Sequence, residues 1–121
     1  MSSSIQVLVV APDYGLRRSL EFALEVEGFA VLSFDDVNAA LASPGTAESS
    51  CVVVDEDALL NDPFATAAVT LFHKPLLLLV DRSRSMPHVL GVRVLRKPIL
   101  GNALITAVRL TDKTGGAGQS T

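Results

Sequence analysis

Apolar residues fall along this chain in two alternating rhythms. Short runs form the first: residues 5–10, interrupted only by Gln6, and 51–54 are rich in β-branched side chains, and Leu76–Val80 is apolar throughout. All read as strands, and Leu76–Val80, lacking polar alternation, suits a central strand covered on both faces. Residues 30–34 and 92–95 are shorter candidates of the same kind. Between the runs, apolar residues recur at helical spacing. Leu16, Leu20, Ala23 and Leu24 make one stripe, which Gly28 can close. Phe64, Ala67, Ala68, Leu71 and Phe72 make a second, opened by Asp62 as cap and Pro63 in the first turn. Leu100, Ala103, Leu104, Ala107 and Val108 make a third. Two shorter helices are expected over residues 37–42, closed by Ser43-Pro44-Gly45, and over roughly 86–90.

Five strand–helix units in succession imply a parallel sheet with right-handed crossovers and helices on both faces, an α/β/α sandwich of three layers. Residues 1–110 form the expected domain. Residues 111–121 are rich in Gly, Ser and Thr and read as a flexible tail or the start of a linker. The composition supports a real core, with 49% hydrophobic and 19% charged residues among 121. A net charge of −3 and a pI near 5.2, with no block of Lys or Arg, argue against direct nucleic-acid binding. The longest purely apolar runs, Leu76–Val80 among them, are far short of the ~18 residues a membrane span needs. Met1-Ser2-Ser3-Ser4 lacks the features of a signal peptide, and a single cysteine, Cys51, excludes an internal disulfide framework. These readings point to a cytoplasmic domain.

In an open parallel sheet, ligands bind beyond the carboxyl ends of the strands. The residues there are Ala11, Pro12 and Asp13 after the first run, then Asp55, Glu56 and Asp57 after the third. Val80 and Asp81 follow at the fourth, and Arg96-Lys97-Pro98 at the fifth. Asp13 is read as the cap of the helix that follows, and Glu56 with Asp57 as a solvated acidic loop. Arg17 and Arg18 find Glu21 at helical spacing. His73 and His88 have no second ligand at useful spacing, and Cys51 reads as a small core residue.

Three pieces in this order, "VLVV" followed by "LRRSL", "CVVVD" ending at Asp55, and "VLRKPI", resemble a response-regulator receiver domain over residues 5–110. The resemblance implies a CheY-like, flavodoxin-like doubly wound sheet of five parallel strands in the order 2-1-3-4-5. It places the phosphoacceptor of two-component signalling at Asp55 and the phosphoryl-contacting lysine at Lys97, aimed by a cis bond to Pro98. It also implies a pair of Mg²⁺-binding acids after the first strand, and these positions hold Ala11 and Pro12. The hydroxyl that ends the fourth strand is replaced by Val80, and the aromatic that rotates on activation by Val94. These four degenerate positions leave the metal few ligands, so Mg²⁺ binding is expected to be weak or absent, with no other cofactor and no enzymatic activity.

The expected function is therefore an atypical receiver: a protein-interaction module of phosphorelay signalling that works without phosphorylation. Its partners would be a signalling protein, a second copy of itself or a histidine kinase. The family's usual contact face is built here from Val89, Leu90, Val92, Val94 and the outer side of residues 102–110. The alternative is a conventional phosphoacceptor modified on Asp55 by a histidine kinase. A flavin- or nucleotide-binding protein of the same architecture would need a phosphate-cradling turn after the first strand, and "APDYG" makes a poor one.

Overall fold

The computed structural model describes residues 5–60, 62–80, 92–96 and 101–117. Five strands, β1 (Gln6–Val10), β2 (Ala30–Phe34), β3 (Cys51–Asp55), β4 (Leu76–Val80) and β5 (Val92–Arg96), pair in parallel in the order β2-β1-β3-β4-β5. The register is continuous across the sheet. Val10 pairs with Phe34 on one side and Val54 on the other, Asp55 with Leu79, and Val80 with Arg96. Residues one apart along a strand point to opposite faces, so each apolar run feeds two cores. Val7, Val9, Cys51, Val53, Leu77 and Leu79 pack beneath α1 (Tyr14–Val26) and α5 (Gly101–Ala117). Leu8, Val10, Val52, Val54, Leu78 and Val80 pack on the other face, beneath α2 (Val37–Ala42), α3 (Asp57–Leu60) and α4 (Pro63–Ala68). Each fully buried Val or Leu contributes about 1.5–3 kcal/mol relative to its exposed state. That is why β1, β3 and β4 carry almost no polar side chain.

The helix boundaries follow from local chemistry. The Asp13 carboxylate accepts the Leu16 N–H at 2.8 Å and starts α1. At the other end, Gly28 takes a φ of 96°, its N–H bonds the Glu25 carbonyl, and the Phe29 N–H bonds the Leu24 carbonyl. Asp62 caps α4 through the N–H groups of Phe64 and Ala65, with Pro63 in the first turn.

Two expectations are revised. The stripe from Phe64 to Phe72 is an α-helix only as far as Ala68, then tightens into a 3₁₀ turn, Val69–Phe72, that ends at His73 in the left-handed region. The boundary set at residue 110 falls inside a helix, because α5 continues to Ala117. Thr111 is buried and donates its hydroxyl to the Val108 carbonyl at 2.7 Å, which satisfies it within the helix rather than in a tail. The short helix expected over 86–90 lies outside the described residues, as do Asp81 and His88. Among the described residues, no helix is long and apolar enough to cross a membrane.

Candidate functional site

The strand order reverses between β1 and β3, so their carboxyl ends form the sheet's switch point, where α/β folds bind ligands. Asp55 is the last residue of β3 and fully buried. It is held there by its neighbours. The Glu56 N–H bonds the Leu79 carbonyl at 2.9 Å, extending the ladder one residue past the strand. The Glu56 carbonyl then accepts from Leu59 and Leu60, which turns the chain at once into α3. In that turn the Asp57 N–H donates to Oδ2 of Asp55 at 3.1 Å.

Only Asp57 of the acidic pair is exposed. Glu56 is buried, contrary to the solvated loop expected for both, because the ladder bond to Leu79 pins its backbone inside the sheet before the chain can leave it. Composition carried no signal of this, since three consecutive acids read locally as surface.

Across the switch point, Ala11 continues β1 through its N–H to the Phe34 carbonyl at 3.0 Å and is fully buried. Its methyl and the Pro12 ring present no oxygen side chain where a receiver places two carboxylates. Asp13, the next acid, is committed to the cap of α1. A cation does stand at this corner, but it is the protein's own. Arg17 donates through Nη1 to the Ala11 carbonyl at 2.7 Å and to that of Pro12 at 3.4 Å, with its guanidinium 5.5 Å from the centre of the Tyr14 ring. The two arginines therefore divide: Arg18 pairs with Glu21 at 2.6 Å as the spacing predicts, while Arg17 turns back to the strand end. The hint lay in Arg17 following Ala11 by six residues, close enough to reach back over the first turn of α1.

Val80 ends β4 fully buried against the α2–α4 core, and Val94, opposite Leu78 in β5, is 44% exposed. Lys97 and Pro98, expected to complete the site, lie outside the described residues. Among the described residues, no group of three or more His, Cys, Asp or Glu side chains could hold a metal ion.

A five-stranded parallel sheet in this order, with a buried aspartate closing its central strand, defines a response-regulator receiver fold. Solved structures agree. The structure superimposes on a CheY-like receiver domain from Methylobacillus flagellatus with a TM-score of 0.74 and 18% identity, covering 90% of this chain and 99% of that one. It also superimposes on full-length FixJ from B. japonicum, with a TM-score of 0.73 and 20% identity over 97% of this chain. The chain spans only 62% of that FixJ chain's length. No protein-family model matches the sequence. The transcriptional regulator FixT of Rhizobium meliloti (strain 1021) is 39% identical over 104 residues, which is 84% of this chain and 88% of FixT. The chain belongs to the FixT family of receiver-fold regulators.

Proposed function

We propose that this protein is a receiver-fold signalling module whose output is association with another protein, without Mg²⁺-assisted phosphorylation of Asp55. One observation carries the reading: at the switch point the metal-binding pair is a buried alanine methyl and a proline ring, beside a guanidinium hydrogen-bonded to the Ala11 carbonyl. Mg²⁺ demands near-ideal octahedral oxygen coordination, usually with one or two carboxylates. Here Asp55 offers one carboxylate, already accepting the Asp57 N–H, and a neighbouring positive charge opposes a divalent ion. These residues do not fit the metal, and the protein binds neither it nor another cofactor and catalyses no reaction.

The remaining positions favour the same reading. Val80 has no hydroxyl to bond a phosphoryl oxygen. Val94 is too short to swing between exposed and buried states as an aromatic does. Asp55 instead serves the fold, through Asp57 and through the Lys97 ammonium that the receiver resemblance places beside it. The contact face is β5 and α5, where Val94 and Leu110 are exposed among the described residues, and the partner is a signalling protein such as a histidine kinase. FixT is a transcriptional regulator by name. With a net charge of −3 and no basic cluster, a role of this chain in transcription runs through such a protein partner rather than through DNA.

The test is to incubate the protein with acetyl phosphate and Mg²⁺ and measure its intact mass. No adduct is expected. A stoichiometric phosphoryl adduct that disappears in Asp55→Asn would overturn the proposal in favour of a working phosphoacceptor, the reading that the place of Asp55 at the end of β3 otherwise supports.

A further inference from the structure

Among the described residues, the outer face of α1 exposes several large apolar side chains on one helix. α1 buries Leu20 and Leu24 against the sheet, yet Tyr14 is 67% exposed, Phe22 70% and Val26 62%. With Arg18, which is also exposed, these residues follow one another at intervals of four along the 13-residue helix. They form a stripe about 20 Å long. Charge along the helix is segregated. Within the helix Arg17 and Arg18 lie in the first half and Glu21 and Glu25 in the second; of the flanking acids, Asp13 is the N-cap, and Glu27, the C-cap, pairs with Arg109 at 3.3 Å.

We propose that α1 is a self-association surface, on which two copies of this chain pack α1 against α1 in antiparallel about a two-fold axis. The stripe is complementary to itself in that arrangement, as a two-fold interface requires. Pairing centred on residue 20 overlaps the two helices along their full length. It sets Tyr14 against Val26 of the second copy, and Arg18 against Phe22 of the second copy, where a guanidinium over an aromatic face is favourable. The same pairing brings Arg18 within a turn of Glu25 of the second copy, an opposite-charge contact made twice by the two-fold axis, while the capping acids Asp13 and Glu27 meet only at its ends. A parallel pairing would place like charges together. The patch is one helix face, smaller than the ~1,200 Å² of a stable complex, so the dimer is weak and exchanges with monomer. This inference goes beyond the proposed function and does not depend on it, because none of the stripe residues closes the switch point.

Sedimentation equilibrium of the full chain, from about 10 μM to about 1 mM, covers the affinity range of such an interface. The mass should rise from 12.8 kDa toward twice that value. Phe22→Glu, at an exposed position that leaves the core intact, should weaken association at least about tenfold, with far-UV circular dichroism unchanged. Arg18→Glu and Glu25→Arg should each weaken it about threefold, and the two together should recover part of the loss, since the opposite charges are regained while the guanidinium over Phe22 is not. Phe64→Glu, on the opposite face of the sheet, should have no effect. Four outcomes would overturn the proposal: a monomer at every concentration, which would leave the α1 face to a different protein; a dimer indifferent to Phe22→Glu; a charge-swapped double variant no better than its single parents; or a dimer dissociated by Phe64→Glu.

Discussion

If, as proposed, the side chains at the end of β1 leave Mg²⁺ without ligands, placing carboxylates there should create a response to Mg²⁺ that wild type does not show. The perturbation is the double substitution Ala11→Asp and Pro12→Asp. Ala11 is fully buried, beside the buried carboxylate of Asp55 across the β1–β3 pair. An added carboxylate there is a second negative charge taken out of water, offset in part by the Arg17 guanidinium at the Ala11 carbonyl. Burying an uncompensated charge costs about 3 kcal/mol, so without metal the variant should melt well below wild type. With two carboxylates and Asp55 converging, a divalent ion has its ligands, and the ion stabilises by RT ln(1 + [L]/Kd). For a Kd of ~1 mM and Mg²⁺ at about 10 mM, that is about 1.4 kcal/mol. On a domain of this size it is a rise of about 5 °C in Tm. Differential scanning fluorimetry with MgCl2, against NaCl at matched ionic strength, reads the difference directly. Wild type should show no Mg²⁺-specific shift. An equal rise in both proteins would refute the reasoning, and so would a double variant that ignores Mg²⁺.

Three further outcomes follow from the same contacts. Asp55→Ala removes the carboxylate that accepts the Asp57 N–H at 3.1 Å and should lower stability by about 1–3 kcal/mol in urea denaturation; an unchanged midpoint would exclude a structural role for Asp55. Asp13→Ala strips the cap from α1 and should cost about 1 kcal/mol, read in the same assay, with no change in any response to Mg²⁺. Leu79→Ala, in the fully buried centre of the sheet, should cost about 2–5 kcal/mol; a loss below 1 kcal/mol would mean that the core beneath α5 collapses around the cavity.

How much of this was legible before folding depends on the range of the physics involved. Strand runs, helix stripes and caps are local, and so the alternation of β and α, the caps at Asp13 and Asp62, the helix stop at Gly28 and the apolar strand over residues 51–54 were all readable from the residues alone. The position of Asp55 at the end of the central strand was equally readable, because an apolar run ending in an acid is a local pattern. What lies around it depends on contacts between segments distant in the chain. Glu56 is buried because the β3–β4 ladder runs one residue beyond the strand. Arg17 leaves its helical neighbour for the Ala11 carbonyl because strand end and helix start meet at the same corner. α5 outlasts its composition to Ala117, with Thr111 buried along the way, because a helix already held by Leu104 and Val108 against the sheet can propagate into residues that would not begin one. The exposed stripe of α1 belongs to both levels: its spacing is in the sequence, but only the packing of Leu20 and Leu24 shows which side of the helix is left facing outward.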